Sequence, residues 1–321
     1  MPFNRRIVLS AAMALALAGP AAAAYPERPI TLIVPWAAGG GTDATARFVA
    51  SLLEKELGQP INVVNRAGGG GIVGHTEIAN AKPDGYTLGV VTTELSLYRT
   101  LGTAPIDHTS YTPLALYNTD PQGIHVRADD GPKTLKDLVE MVKAKPGAHK
   151  ASGANLGGAA HLSLVGLLGA LGLPATAAPW VPTDGSTPSL QLLTSSAIDI
   201  VATTMPEAQT MVDARKVRTL AIMRPTRDPA YPDVPTIKET VGADWSLGAW
   251  RGVAGPKALP SDVSKRLGDA LKKVVTGDEF KKLMDSRKFG IEYADPAGFA
   301  AYLVTADARF GAAAKAAGLA K

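Results

Sequence analysis

The chain contains no cysteine, so a disulfide framework, a thiolate metal site and a cysteine nucleophile are all excluded. Charge of either sign is also sparse: 33 Lys and Arg stand against 29 Asp and Glu in 321 residues. A formal +4 over that length makes no basic field of the kind that holds nucleic acid or an anionic membrane surface, and no nucleic-acid partner is expected. No stretch after the N-terminus approaches the ~20 uninterrupted apolar residues that a spanning helix needs. Catalytic signatures are missing too. There is no G-x-S-x-G and no H-E-x-x-H, and His75, His108, His125, His149 and His161 form no i,i+4 pair. The expectation is a non-enzyme with no metal and no cofactor.

What is present is enough apolar material for a large core, 46% of residues, in a chain long enough to divide into about two domains. At the N-terminus Arg5 and Arg6 precede the apolar run Ile7–Ala18, and Ala22-Ala23-Ala24 fits an A-x-A cleavage pattern before Tyr25. Residues 1–24 therefore read as a secretory signal peptide cleaved near Ala24, which implies export.

From Ile30 onward strand and helix signals alternate. Ile30–Pro35, Ile61–Asn65 and Tyr86–Thr92 are short apolar, β-branched runs. Glycine loops at Gly39–Gly41 and Gly68–Gly71 follow the first two and open helical patterns over Asp43–Leu57 and Ile72–Ala81. The pattern recurs after residue 123, with strands at Gly123–Val126, Ile198–Thr203 and Val217–Met223 and helices at Leu135–Ala144 and Leu162–Leu171. The helices Val263–Thr276, Phe280–Lys288 and Pro296–Ala314 close the chain. This order predicts an α/β protein of two lobes, with mostly parallel sheet covered on both faces and a ligand cleft between the lobes.

Glycines between a strand and a helix let a backbone approach a ligand, and the helix start offers unpaired amides and a positive dipole end to an anion. One such end contributes ~0.3–1 kcal/mol when exposed, and micromolar binding needs about 8 kcal/mol, so several must converge. Asp43 reads as a helix cap, since an acid facing a bound anion would repel it. A rival is nucleotide binding by Gly69, Gly71 and Gly74, which spell G-x-G-x-x-G after a strand, although the motif does not open the sheet. His161, after the small-residue loop 152–161, either donates to a carboxylate or packs between lobes.

Tyr25-Pro26-Glu27-Arg28-Pro29-Ile30-Thr31-Leu32-Ile33-Val34-Pro35, the loop ending Gly39-Gly40-Gly41-Thr42-Asp43, and Val64-Asn65-Arg66-Ala67-Gly68-Gly69-Gly70 resemble the Bug, or TctC-like, receptors. These are periplasmic substrate-binding proteins of tripartite tricarboxylate transporters. Lys82-Pro83-Asp84-Gly85-Tyr86, Pro232-Asp233-Val234-Pro235-Thr236 and Trp250-Arg251-Gly252-Val253-Ala254-Gly255-Pro256 extend the likeness over the mature chain.

The resemblance implies a type II periplasmic-binding-protein (Venus-flytrap) fold, with lobe 1 from 25–123 and 246–321 and lobe 2 from 124–245. It also implies a monomer in the periplasm that takes a small carboxylate, a di- or tricarboxylate or related organic acid, and delivers it to the membrane components of a tripartite transporter. Carried onto this chain, the first-lobe contacts are Trp36, Ala38, Gly39, Gly40 and Thr42, and the second-lobe contacts are Ser152, Asn155, Gly158, His161, Asp184 and Gly185. Thr92, Thr93 and Glu94 end the third strand at the expected cleft; Glu94 would orient Arg251, accept a ligand hydroxyl or stand as a surface acid. Arg251 offers a planar fork either to a second ligand carboxylate or to a salt bridge across the hinge. The chain departs from the family's usual glycine pairs at Trp180–Ser186 and at Ser195-Ser196.

Overall fold

The computed structural model describes residues 25–320; the expected signal peptide, 1–24, lies outside the described residues. The first sheet begins with β1 (Ile30–Val34) flanked by β2 (Ile61–Asn65) and β3 (Thr87–Thr92), all parallel, in the order β2-β1-β3. Their connections are α1 (Gly41–Leu57) and α2 (Ile72–Ala79). The sheet then continues through two antiparallel strands, β8 (Gly248–Pro256) and β4 (Tyr111–Arg127).

β4 serves both lobes. Its first part, Tyr111–Pro121, pairs with β8, and Gln122–Arg127 pairs with β6 (Ile200–Thr204) and β7 (Val217–Ile222) in the second sheet, where the two-residue β5 (Ala151–Ser152) lies parallel to β6. Helices α3 (Leu135–Ala144), α4 (Ala159–Ala170), α5 (Ser186–Thr194) and α6 (Met205–Asp213) surround that sheet. α7 (Ser261–Val275), α8 (Asp278–Asp285) and α9 (Pro296–Ala316) return to the first.

The sheet is thus mixed, which corrects the mostly parallel expectation. The sequence shows only Gly123–Val126 of β4 as a strand because Pro113 and Pro121 interrupt the rest. Proline cannot donate to a ladder, and here register shifts after Pro113 and after Leu116 let the strand carry on past such breaks. α5 is also absent from the sequence reading, since Gly185-Ser186-Thr187-Pro188 has the composition of a turn.

One core layer packs Val49 and Leu53 of α1 against Leu267 and Leu271 of α7 and Phe280 and Met284 of α8, all fully buried. Each such side chain contributes roughly 1.5–3 kcal/mol by leaving water. On the opposite side Phe299 and Leu303 of α9 pack beside Trp250 of β8, whose ring meets Phe299 edge-on at 5.9 Å.

Two buried histidines are bonded into this frame. His75 Nε2 accepts from the Thr92 amide at 3.2 Å, and Nδ1 lies 2.9 Å from the Gly71 carbonyl, so the proton sits on Nδ1. His125 Nε2 faces the Thr203 carbonyl at 3.2 Å. Burial lowers both rings to about 4, only partly offset by the bonds to these carbonyls. As pH falls from about 6.5, the ordinary histidine value, toward 4, the unfolded chain binds protons that the folded rings refuse. Stability should therefore drop through that window in chemical denaturation, and His125→Gln should remove part of the slope; an identical slope in the variant would contradict this assignment. Ser196, at one of the departures from the family pattern, is exposed and has φ 62°. A left-handed conformation costs a side-chain-bearing residue roughly 1–2 kcal/mol, so Ser196→Gly should raise the unfolding free energy by up to about 1 kcal/mol, read as a higher denaturation midpoint.

Candidate functional site

Between the lobes lies a cavity of 60 Å³, on a measure by which ~10–15 Å³ holds one water. Four helices begin on it: α1 with Gly40, Gly41 and Thr42, α4 with Ala159 and Ala160, α5 with Ser186 and Thr187, and α6 with Thr204 and Glu207. Each follows the end of a strand or loop that its sheet directs toward the crevice, and each brings amides that have no acceptor within the helix.

The protein's own carboxylates satisfy some of these amides. Glu207 accepts from the Thr204 amide at 3.3 Å and the Thr203 hydroxyl at 2.5 Å. Glu94 reaches across from the first lobe to the start of α4, where the Ala159 amide donates at 3.2 Å. Its other oxygen takes the Thr92 hydroxyl at 2.7 Å, and Thr92 in turn accepts from the Trp36 indole at 3.2 Å. An indole only donates, so Thr92 is free to pass its own proton to Glu94. Burial pushes the Glu94 carboxyl above its usual range, and the bonds from Thr92 and Ala159 offset only part of that.

Asp43 stays out of the cavity. It turns back to the Gly39 amide at 3.0 Å and is held by Arg47 and Asn65. Burial opposes its charge, but these partners prevail and keep the carboxyl below its usual range. No protein acceptor takes the amides of Gly41 and Thr42 at α1, or of Ser186 and Thr187 at α5, among the described residues. The two helix starts face each other: a Cβ at Gly40 would lie 3.6 Å from Ser186 Oγ.

Arg251 forms the cavity floor and is 3% exposed. Its Nη1 donates to Asn118 Oδ1 at 2.5 Å and Asp120 Oδ2 at 2.6 Å, Nη2 to Glu207 Oε1 at 2.9 Å, and Nε to Thr42 Oγ1 at 3.0 Å. Burial alone would lower its pKa, but Glu207 and Asp120 outweigh burial and raise it. Four of its five N–H groups are spent within the protein. Of the two roles expected for Arg251 the geometry shows the salt bridge across the hinge, to Glu207, and leaves one N–H of Nη2 without a protein acceptor.

Residues 45–319 match the family described as the tripartite tricarboxylate transporter family receptor, TctC. The chain belongs to this family. A protein of the TAR-I ttuE-ttuC' intergenic region of Agrobacterium vitis is 35% identical over 252 residues, covering 77% of this chain and 71% of the relative. The periplasmic binding protein BugD is 30% identical with a TM-score of 0.86, covering 92% of this chain and 100% of that one. MatC from Rhodopseudomonas palustris, solved with bound malate, is 27% identical with a TM-score of 0.83 and covers 90% of this chain and 99% of its own. A second R. palustris protein, solved with adipate, is 25% identical with a TM-score of 0.86 over 92% of this chain and 99% of its own. The two-lobed periplasmic-binding-protein fold is shared by all three structures.

In this TctC-family receptor the expected residues Trp36, Gly40, Thr42, Thr92, Thr93, Glu94, Gly185 and Arg251 line the cavity. Seven others stand outside the lining. Ala38 and Gly39 form the outer turn before α1. Ser152 lies beneath the cavity, its hydroxyl given to the Val181 carbonyl at 2.6 Å. Asn155 belongs to a separate crevice against Gly70, and Gly158 is the residue that precedes α4. His161 accepts from the Gly157 amide through Nδ1 at 3.1 Å and packs edge-on to Trp180, both within the second lobe. Asp184 offers only its backbone carbonyl, to the Ala37 amide at 3.4 Å.

Side chains crowd two glycines of the rival nucleotide loop: a Cβ at Gly71 would meet Tyr98 Oη at 2.8 Å and Trp36 at 3.1 Å, and one at Gly70 would meet Asn155 at 2.6 Å. Gly69 and Gly70 also line the separate 230 Å³ crevice to which Asn155 belongs. Sequence reasoning missed Glu207, Gln122, Ser186 and the pair Asn118 and Asp120. Only Glu207 carried a local signal, the Thr204-Met205-Pro206-Glu207 string of a helix start.

Gly41 permits the closed arrangement. A Cβ there would lie 2.7 Å from Glu207 Cγ and 2.9 Å from Arg251 Nη2. Gly41→Ala should hold the lobes apart and weaken ligand binding by tenfold or more in calorimetry. Arg251 belongs to the same lobe as Gly41, so its side chain must shift in the ligand-free protein as well; that strain offsets the up to ~1 kcal/mol by which alanine favours a helix over glycine, and melting temperature is followed beside affinity. Unaltered affinity would show that the lobes close without this contact.

Proposed function

We propose that the chain is an exported receptor that captures a small carboxylate between its lobes and delivers it to the membrane components of a tripartite tricarboxylate transporter. The observation that carries this reading is the pair of opposed helix starts, α1 and α5, whose amides at Gly41, Thr42, Ser186 and Thr187 lack protein acceptors and converge from the two lobes on one cavity. Charge-assisted bonds from such amides contribute ~1.5–3 kcal/mol each, so three or four reach the range of micromolar affinity. The malate and adipate named on the two R. palustris relatives support the same ligand class.

In this reading residues 1–24 are removed, the receptor works in the periplasm as a monomer, and it divides into 25–123 with 246–321 and 124–245. The ligand leaves unchanged. Trp36, Gly40, Thr42 and Gly185 shape the carboxylate end, while Thr92, Thr93 and Glu94 face the remainder. Closure is driven by contacts that exist only in the shut form, such as Glu94 with Ala159 and Glu207 with Arg251.

A thermal-shift screen of the mature protein across organic acids tests the proposal. Ligand at ~100 times its Kd adds ~2.7 kcal/mol, a rise of about 4 °C for a chain of this length. Native mass spectrometry after long incubation should return the acid intact; consumption of it would replace the receptor by an enzyme.

A further inference from the structure

The second end of the ligand meets a wall whose charge is uneven. Among the described residues that line the cavity, Arg251 is the one cationic side chain, and Glu94 and Glu207 are both carboxylates. Arg251 is already committed to Asp120 and Glu207. Glu94 has no cation in bonding contact; its partners are the Thr92 hydroxyl and the Ala159 amide. A second ligand carboxylate would therefore lie beside Glu94, whose charge burial already disfavours, with no unpaired cation on the described wall, so one of the two carboxyl groups would have to stay protonated.

The same cavity is lined by Gln122 of β4, 3% exposed, whose side-chain oxygen has no partner. A buried acceptor left bare is costly, and a ligand N–H or O–H would remove the cost. Two helix starts left to an anion, two blocked by Glu94 and Glu207, and a bare oxygen on β4 describe a ligand with one acidic end and one donating end.

We propose that this receptor selects a short monocarboxylate bearing a hydroxyl or ammonium group at its other end, and that Glu94 is the residue that discriminates against plain dicarboxylates. This rests on the carboxylate reading of the cleft. The cavity volume corresponds to about four to six waters, which fits a short acid.

The test is calorimetry of the mature protein with straight-chain acids of about three to six carbons, each length as the plain monoacid, the ω-hydroxy acid, the ω-amino acid and the diacid. The hydroxy or amino acid should bind at least tenfold tighter than the monoacid of the same length, and the diacid no tighter than the monoacid. Glu94→Gln, whose carbonyl oxygen still accepts from Ala159, should cut the ratio of amino-acid to diacid affinity by tenfold or more, with melting temperature followed to confirm folding. If the variant does not fold, the wild-type ranking alone decides. A diacid that binds tightest to the wild type, or a ratio unchanged in the variant, overturns this proposal and leaves the carboxylate receptor standing. Failure of every acid in the series overturns both.

Discussion

An amide at the first turn of a helix has to find an acceptor, and that obligation organises both lobes of this receptor. Four helices begin on one cavity, so four sets of orphan donors point at a volume large enough for only a few atoms. Glu94 and Glu207 answer two of them and Asp43 closes the turn before a third. What is left unanswered, at α1 and α5, defines where a guest's negative charge is welcome. On the proposed reading, ligand choice follows partly from which helix starts the protein's own carboxylates block.

Beneath that cavity the buried Arg251 imposes a second order. A guanidinium removed from water must be paired, and its partners come from β4 through Asn118 and Asp120, from α1 through Thr42 and from α6 through Glu207. Those elements belong to both lobes, so the ion cluster ties the hinge strands to the closed arrangement. A buried pair of this kind adds little net stability over an apolar substitute, but removing one partner strands a charge. Its worth lies in geometry: the arginine is spent on the protein, and the described residues of the cleft offer no second cation.

Much of the architecture is legible along the chain. Ile30–Val34 followed by three glycines and a helix, and Ile61–Asn65 followed by four, are local patterns whose strand and helix periods differ enough to separate without any partner. β4 and β8 are not legible in this way, because Pro113 and Pro121 read as breaks until β8 supplies a register that passes around them. The same division runs through the site. Trp36, Gly40, Thr42 and Gly185 sit beside glycine turns that mark them in sequence, and Glu207 lies at the third position of a capped helix. Asn118 and Asp120 sit inside a strand with nothing nearby to signal that an arginine more than a hundred residues later would neutralise them.

By itself the sequence determined the α/β class and the presence of glycine-opened helix starts, because those depend on backbone freedom and on periodicities read within a dozen residues, and the family through its resemblance to motifs spread along the chain. Tertiary structure alone decided which amides remain unpaired and where each charge is spent. His161 and Ser152 turned inward to pack, Arg251 was consumed by carboxylates, and Glu94 was carried onto the helix of the opposite lobe. Such outcomes depend on which groups meet when two lobes touch, and proximity across a cleft leaves no trace in the order of residues along a chain.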